Sequence, residues 1–194
     1  HNATVTMVDT HWYDLQSPSV GTVVLNLYDG SSFLMEDSYF EQTHAVLVGG
    51  GVFAVLNSDS TVTFRNVAFF ECTALNGGGI FLQLNHVNST ATVQNCNFTQ
   101  NQATGLGGGL YGYVVSGSLL ISESTFSYNT APIFNSSGLY IDFSNADQSD
   151  GLTQFSFYTS QLDHNLVVFK GGGNISFAPG QVQQINGSLV LDGT

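Results

Sequence analysis

A repeat of about 29 residues is the feature that most limits how this sequence can fold. Glycine triplets begin at Gly49, Gly77 and Gly107, a degenerate copy begins at Ser136, and these four starts are almost evenly spaced. A further triplet begins at Gly171. An aliphatic and then an aromatic residue follow four of the copies: Val52-Phe53, Ile80-Phe81, Leu110-Tyr111 and Leu139-Tyr140. Self-similarity at such a period predicts a solenoid, in which every repeat packs on its neighbours.

A second ladder of large apolar residues runs in phase with the glycines. Its six rungs are Trp12, Phe40, Phe69, Phe98, Phe126 and Leu162. The first five rungs keep the spacing of the repeat, and the last interval is longer. That interval contains a polar stretch at about 145–151, which predicts a surface loop inserted into one repeat. Because equivalent residues on stacked strands lie about 4.8 Å apart, the rungs are expected to form one continuous column inside the molecule.

Local composition favours strands over helices. The repeats are rich in Val, Thr, Phe, Tyr, Ser, Asn and Gly, and polar and apolar residues alternate in segments such as 91–94 and 139–143. Each repeat has room for about three short strands separated by Gly or Asn turns. Helical repeats would need more helix formers, and a β-propeller blade needs about 40 residues with tight hairpins. The sequence therefore predicts an all-β, single-stranded parallel β-helix with about 28–29 residues per coil and about six to seven coils, forming one domain over residues 1–194.

Polar residues recur at fixed distances from the rungs. Three residues before the rungs stand Asp9, Asp37, Asn66, Asn95, Glu123 and Thr159, and three residues after the last three rungs stand Asn101, Asn129 and Asn165. Asn tolerates the left-handed backbone conformation, and its amide can bond the equivalent amide of the next coil. These positions predict corners with amide ladders. The glycine triplets predict corners that need a positive φ or a close approach of neighbouring coils.

Two of the later repeats carry a pair of motifs. Phe98-Thr99-Gln100-Asn101 and Phe126-Ser127-Tyr128-Asn129, together with Gly-Gly-Gly-Ile and Gly-Gly-Gly-Leu, resemble the FxxN and GGA[ILV] motifs of the polymorphic outer-membrane protein repeats. The resemblance covers roughly residues 30–180 and implies a right-handed β-helix that displays and adheres. The first copies depart from it, because Phe40-Glu41-Gln42-Thr43 and Phe69-Phe70-Glu71-Cys72 lack the Asn.

Charge excludes several classes of function. Only Arg65 and Lys170 are basic, against 14 acidic residues, and the formal net charge is −12. Two cations cannot neutralise a phosphate backbone, and anionic membrane surfaces would repel the chain, so neither nucleic-acid binding nor membrane insertion is expected. No apolar run reaches the roughly 18 residues of a membrane-spanning helix. Because charged residues are only 8% of the chain, solubility must come from Ser, Thr, Asn and Gln or from attached sugar.

Six Asn-X-Ser/Thr sequons predict N-linked glycans on a secreted or cell-surface protein. They are Asn2, Asn88, Asn97, Asn135, Asn174 and Asn186. Asn97 precedes the inward rung Phe98, so strand alternation directs its side chain outward. The alternative is a bacterial β-helix with accidental sequons. The chain begins at His1 without a charged leader and apolar block, as expected either of a chain that has lost a signal peptide or of a fragment.

The two cysteines, Cys72 and Cys96, fall on neighbouring coils but at different positions of the repeat. In a secreted protein a disulfide between them is one alternative, and two buried free thiols are the other. The pair forms no metal-binding motif.

No recognised catalytic motif is present in the sequence: a HExxH zinc site, a Gly-x-Ser-x-Gly elbow and a phosphate loop with Lys are all missing. No catalytic residue, metal or cofactor is therefore expected. The alternative is a lyase or glycosidase, because Asp9 and Asp37 share one position on successive coils near Arg65, and Asp14 and Glu71 share another. A calcium ion bridging Asp9 and Asp37 is a further alternative.

Exposed tyrosines would suit a carbohydrate-binding module, since they stack on sugar rings. The candidates are Tyr13, Tyr28, Tyr111 and Tyr113, although simple packing is the commoner role of Tyr at a strand edge.

Both ends of the repeat array are strand-like in sequence, with Val5 to Asp9 at one end and Ser188 to Leu191 at the other, and neither shows a polar cap or an amphipathic helix. Ends of this kind are expected to pair head to tail. The leading interpretation is a non-catalytic, glycosylated extracellular β-helix, used as a structural or adhesive subunit of a cell-surface fibre or coat. Its expected partners are further copies of itself in a filament, and a carbohydrate or cell-surface ligand.

Overall fold

The computed structural model describes residues 2–132, 138–146, 154–158, 161–170, 174–177 and 184–192. All regular secondary structure in these residues is β-strand, and the strands pair in parallel. The chain winds as a parallel β-solenoid of about five turns. The predicted all-β fold and parallel β-helix are therefore confirmed.

Four columns of short strands run along the solenoid, one more than the three strands per repeat predicted. The first contains β1 (Thr4–Val8), β5 (Ser32–Glu36), β9 (Thr61–Arg65), β18 (Gln154–Tyr158) and β20 (Asn174–Phe177). The second contains β2 (His11–Tyr13), β6 (Tyr39–Glu41), β10 (Ala68–Phe70), β13 (Asn97–Thr99) and β16 (Thr125–Ser127). The third contains the two-residue strands β3 (Gln16–Ser17), β7 (His44–Ala45), β11 (Thr73–Ala74) and β14 (Gln102–Ala103). The fourth contains β4 (Val23–Leu27), β8 (Val52–Leu56) and β17 (Leu139–Asp142).

Four longer strands each contribute to two columns. Two of them, β12 (Ile80–Gln94) and β15 (Leu110–Ser122), begin in the fourth column and end in the first. The other two, β19 (Gln161–Lys170) and β21 (Gln184–Asp192), begin in the second column and end in the fourth. The corner between two columns is straightened into continuous strand in these turns.

The fold was predicted with about six to seven coils, and the solenoid has about five turns. Beyond Ala146 the structure describes separate strands, β18 to β21, which continue the columns of the preceding turns. The strands β19 and β21 add a sixth and a seventh strand to the second column. Most of the predicted polar insertion at about 145–151 lies outside the described residues. Of its first residues, Asn145 donates a hydrogen bond to the Tyr113 hydroxyl and Ala146 packs against the core.

The predicted ladder of rungs forms the centre of the core. The rings from Trp12 to Phe126 stack with centroid separations of 4.4 to 4.9 Å and interplanar angles of 1 to 8°. Leu162 pairs in register with Phe126, so the backbone of the sixth rung also lies in the column. Each aromatic contact of this kind adds about 0.5–1.5 kcal/mol to the stabilisation from burial alone. These ring contacts connect the successive turns from Trp12 to Phe126 in the interior.

Residues with a left-handed backbone mark the predicted polar corner. Asp9, Asp37, Asn66, Asn95 and Glu123 all have φ between 49 and 55°. Thr159, the sixth member of this series, lies outside the described residues. A second left-handed series, which the sequence analysis did not identify, stands two residues after the rungs and contains Asp14, Gln42, Glu71, Gln100 and Tyr128. Each second-column strand is thus bounded by one left-handed residue on either side.

Each described glycine triplet contains one residue with a positive φ and at least one other that has no space for a Cβ. Gly49 has a φ of 63°, which glycine adopts without a steric penalty. Gly50 has an ordinary φ, but a Cβ built on it would lie 2.2 Å from the Gly78 carbonyl oxygen of the next turn. The third member, Gly51, lies against the ring of Phe69. Both predicted reasons for glycine, a positive φ and a close approach of coils, are confirmed at successive positions.

Candidate functional site

One of the acidic residues singled out by the sequence, Asp37, belongs to a hydrogen-bonded ladder on the outside of the corner. Asn95 Nδ2 donates to Asn66 Oδ1 at 2.6 Å, and Asn66 Nδ2 donates to Asp37 Oδ1 at 2.9 Å. The Asp37 carboxylate therefore accepts the last bond of an amide ladder. Arg65, the cation proposed near it, instead pairs with Glu36 at 2.6 Å.

The second acidic pair is separated by an amide. Gln42 Nε2 donates to Glu71 Oε2 at 2.8 Å, and Gln42 occupies the turn between Asp14 and Glu71. Within the part of the chain that the structure describes, no three His, Cys, Asp or Glu side chains come together in a way that would hold a metal ion. The calcium ion between Asp9 and Asp37 and the polysaccharide-cleaving activity stay predictions.

A separate amide ladder runs inside the solenoid. Asn101 Nδ2 donates to the Phe69 carbonyl and to Asn129 Oδ1, both at 2.9 Å, and Asn101 Oδ1 accepts from the Cys72 N–H. Asn129 repeats the pattern on the Phe98 carbonyl. Both side chains are buried. These asparagines bond backbone groups of the adjacent turn close to where the chain leaves the second column. The side chain of Asn165, the third predicted member, lies outside the described set.

Cys72 and Cys96 are free, buried thiols, which is one of the two alternatives that the sequence left open. They belong to different columns, because Cys72 follows a rung by three residues and Cys96 precedes the next rung by two. Accordingly Cys72 Sγ contacts the Phe40 carbonyl and Cys96 Sγ contacts the Phe64 carbonyl. Burial raises the pKa of the Cys72 thiol to about 11 and that of Cys96 to about 12.

Three of the six sequons can be placed with their side chains. Asn2, Asn88 and Asn97 are exposed, as an N-linked glycan requires. Asn97 Oδ1 accepts a hydrogen bond from Thr99, the hydroxyl residue of its own sequon. Asn88 Nδ2 donates to Asp59 Oδ1, and a glycosylated amide nitrogen keeps one hydrogen for such a bond. Asn135 lies outside the described residues, and Asn174 and Asn186 lie in β20 and β21, where the backbone alone is described.

The predicted tyrosines differ in exposure. Tyr13 and Tyr28 are more than half exposed and Tyr113 is half-buried. The prediction is wrong for Tyr111, which is buried because its ring lies between those of Phe81 and Tyr140, at 4.9 and 5.4 Å. Burial, and then the neighbouring Asp142 carboxylate, raises the pKa of Tyr111. Because its ring faces are already stacked, Tyr111 has no open face for a sugar.

An uncharged trough lies along the third strand column. One wall carries His44, Thr73 and Gln102, the other carries Val46, Leu75 and Thr104, and Ala74 forms the floor between them. The space has a volume of about 380 Å³. His44 Nδ1 and Thr73 Oγ1 lie 2.6 Å apart and share a hydrogen bond along the polar wall. Within the same register, Gln16 and Thr130 extend that wall by one turn at each end.

The trough follows from alternation in very short strands. After Phe40, Phe69 and Phe98, the fourth residue points outward, the fifth is a buried alanine, and the sixth points outward again. The positions that indicated the polar corners lie within three residues of each rung and therefore do not reach the trough. Comparison of residues four and six after each rung would have indicated one polar and one apolar row.

The first turn exposes residues whose equivalents form the core elsewhere. Val5 is 47% exposed, although it pairs in register with the buried Phe33. Leu15 is 42% exposed, whereas Thr43, in the same position one turn later, is fully buried. Met7 and Trp12 are only partly buried for the same reason. This end of the described solenoid therefore presents an apolar face and one side of its strand ladder.

None of the described residues forms a helix that is long and apolar enough to cross a membrane. Comparison of the chain with protein-family models, with curated proteins and with solved structures finds no match. Because no family model matches, the resemblance to the polymorphic outer-membrane protein repeats stays a prediction.

Proposed function

We propose that this chain is a non-catalytic, glycosylated extracellular β-helix, which serves as a structural or adhesive subunit of a cell-surface fibre or coat and associates end to end. The observation that carries the proposal is the apolar face of the first turn. Val5 and Leu15 are nearly half exposed at positions that other turns bury. A further coil stacked on this face would bury them and satisfy the open side of the strand ladder.

The geometry of the solenoid supports a second copy as the source of that coil. The strands of successive turns pair in parallel and stack along one axis, so the two ends of the stack are different surfaces built on the same columns. The strand β21 places Ile185 in the rung column and residues 189–192 in the fourth column. Contact between unlike ends repeats without closing and generates a filament.

The exposed sequons support an extracellular location. Asn2, Asn88 and Asn97 offer their side chains to solvent. Glycans attached there would increase the solubility of a chain with two basic residues and a net charge of −12. Asn97 lies on the outer face of the second column, away from the trough and from the end of the stack.

Two double lysine variants with matched exposure test the end-to-end association. Val5→Lys/Leu15→Lys places charges on the end of the stack, at residues that are 47% and 42% exposed. The control Val24→Lys/Leu47→Lys makes the same charge change at one Val and one Leu on the side of the stack, at residues that are 46% and 47% exposed. Because a buried ammonium group loses its hydration, the end variant is expected to weaken association by at least about tenfold.

Sedimentation velocity over a range of concentrations, with electron microscopy of the same samples, measures the effect. The wild-type chain and the control are expected to form filaments of one solenoid width. Dispersed monomers in the wild type, or equal association of the two double variants, would contradict the end-to-end proposal.

A further inference from the structure

We infer that the trough binds an uncharged, extended polysaccharide chain laid along the solenoid axis. This inference rests on the adhesive part of the proposed function and is independent of the end-to-end part. It assigns the adhesive contact to one surface and one class of ligand. The residues that carry it are His44, Val46, Thr73, Leu75 and Gln102, with Thr104 at the end of the apolar wall.

Charge is the first argument. The chain has a formal net charge of −12, yet no residue that lines the trough is acidic or permanently charged. The nearest acids along the chain, Asp14 and Glu71, stand at the left-handed corner two residues before the polar wall. An anionic polymer is repelled by the molecule as a whole, and a cationic one is attracted to its acidic corners instead. An uncharged ligand is favoured in the trough itself.

The two walls are the second argument. One row offers an imidazole, a hydroxyl and a carboxamide, and the facing row offers the side chains of Val46 and Leu75, which are about half exposed. A ligand that fits both rows offers hydroxyl groups to one and C–H groups to the other. A sugar chain carries hydroxyl groups at its ring edges and C–H groups on its ring faces, and the mixture of apolar lining with a few polar groups is typical of small-ligand sites.

Shape is the third argument. Between the two walls lie Ala45, Ala74 and Ala103 of three successive turns, whose side chains are buried, so the backbone forms the floor. The residues of each wall repeat once per turn, about 4.8 Å apart, which is comparable to the length of one sugar unit in an extended glycan. Hydrogen-bonding groups at this spacing meet successive units of a chain that runs along the axis. A volume of about 380 Å³ accommodates a short stretch of such a chain.

Two matched double variants test the inference with the whole chain. Val46→Ser/Gln102→Ala removes an apolar contact from one wall and a hydrogen-bonding group from the other. The control, Val24→Ser/Gln94→Ala, makes the same substitutions at outward-facing residues on the fourth and first columns. Binding is measured by affinity electrophoresis and titration calorimetry against soluble β-glucan, mannan and xyloglucan, with polygalacturonate as the anionic comparison.

At least one of the neutral polymers is expected to bind, with polygalacturonate binding at least about tenfold more weakly. The trough variant is expected to lose at least about tenfold in affinity, while the control keeps the wild-type value. Absence of binding to all three neutral polymers, or equal losses in the two variants, would overturn the inference. A trough variant that lowers self-association without affecting polymer binding would assign the surface to a second copy and would also overturn it.

The two proposals fail separately. The lysine variants at the first turn report on filament formation, and the trough variants report on polymer binding. Filaments without polymer binding would support the structural role and would contradict the inference that the trough binds a polysaccharide.

Discussion

Asparagine has two roles in the repeat, one at an outer corner and one in the interior. Its position relative to the rung determines which role it has. Asn66, three residues before its rung, adopts a φ of 55° and bonds its neighbours on the outer surface. Asn101, three residues after its rung, is buried and bonds the backbone of the adjacent turn. Cys72 occupies the same inner position as Asn101 one turn earlier and contributes a thiol that is shielded from solvent.

The two thiols are expected to be unreactive in the folded protein. Their pKa values of about 11 and about 12, against a usual value of 9.0, leave almost no thiolate near neutral pH. A colorimetric thiol reagent at pH 8 is expected to label neither cysteine in the native state and both in guanidinium chloride. Rapid native labelling, or a mass lower by two hydrogens, would contradict the assignment of free buried thiols.

The same shifts set the direction of a pH effect on stability. Both thiols hold their protons more tightly when folded, so their contribution is fully present below the unfolded-state pKa of about 9. It is lost as the pH rises from there toward about 11, the folded-state value of Cys72. The free energy of unfolding is expected to fall over that interval. In a Cys72→Ala/Cys96→Ala variant, which has no thiols to titrate, it is expected to fall less over the same interval.

At the scale of the strands, the sequence predicted those features that follow from regular local patterns. Alternation indicated the buried positions Ala91 and Val93 of β12, and the rungs indicated the register of the second column. The third column was not predicted, because a two-residue strand is too short for alternation to be recognised. The trough on that column was missed for the same reason. The burial of Tyr111 was also missed, since it depends on stacking against Phe81 and Tyr140, which lie one turn away on either side.

The inner amide ladder connects neighbouring turns where strands β13 and β14 meet, and its loss is expected to be costly. Asn101→Ala removes the partners of the Cys72 N–H and the Phe69 carbonyl, both of which lie in the interior. Since each unsatisfied buried group costs about 1–3 kcal/mol, we expect the free energy of unfolding to fall by about 2–5 kcal/mol.

The matched control for this change is Asn97→Ala, expressed without glycans, which removes an exposed asparagine on β13. It is expected to change the free energy of unfolding by less than about 0.5 kcal/mol. Urea denaturation gives both values. Equal losses in the two variants would show that the buried amide does not stabilise the fold.

On the scale of the whole molecule, the period of the sequence determined most of the architecture. Large apolar residues that recur once per repeat leave few alternatives to a stacked solenoid, and the structure has the expected column of rings. Beyond Phe126 the column continues through Leu162 and Ile185, whose backbones pair in register. A periodic pattern does not predict contacts between turns that occur only once, such as the ion pair of Arg65 and Glu36.

A disulfide introduced between two adjacent turns tests the stacking most directly. Thr63 and Thr92 face outward on β9 and β12 and pair in register, so their Cα atoms are expected to lie about 4.8 Å apart. That separation is within the range of about 4.4–6.8 Å that disulfides span. Thr63→Cys/Thr92→Cys is therefore expected to oxidise to one intramolecular disulfide, identified by peptide mapping. The control Thr63→Cys/Leu120→Cys places the thiols two turns apart and is expected to stay reduced. A bond in the control, or none between residues 63 and 92, would contradict the solenoid on which the proposed functions depend.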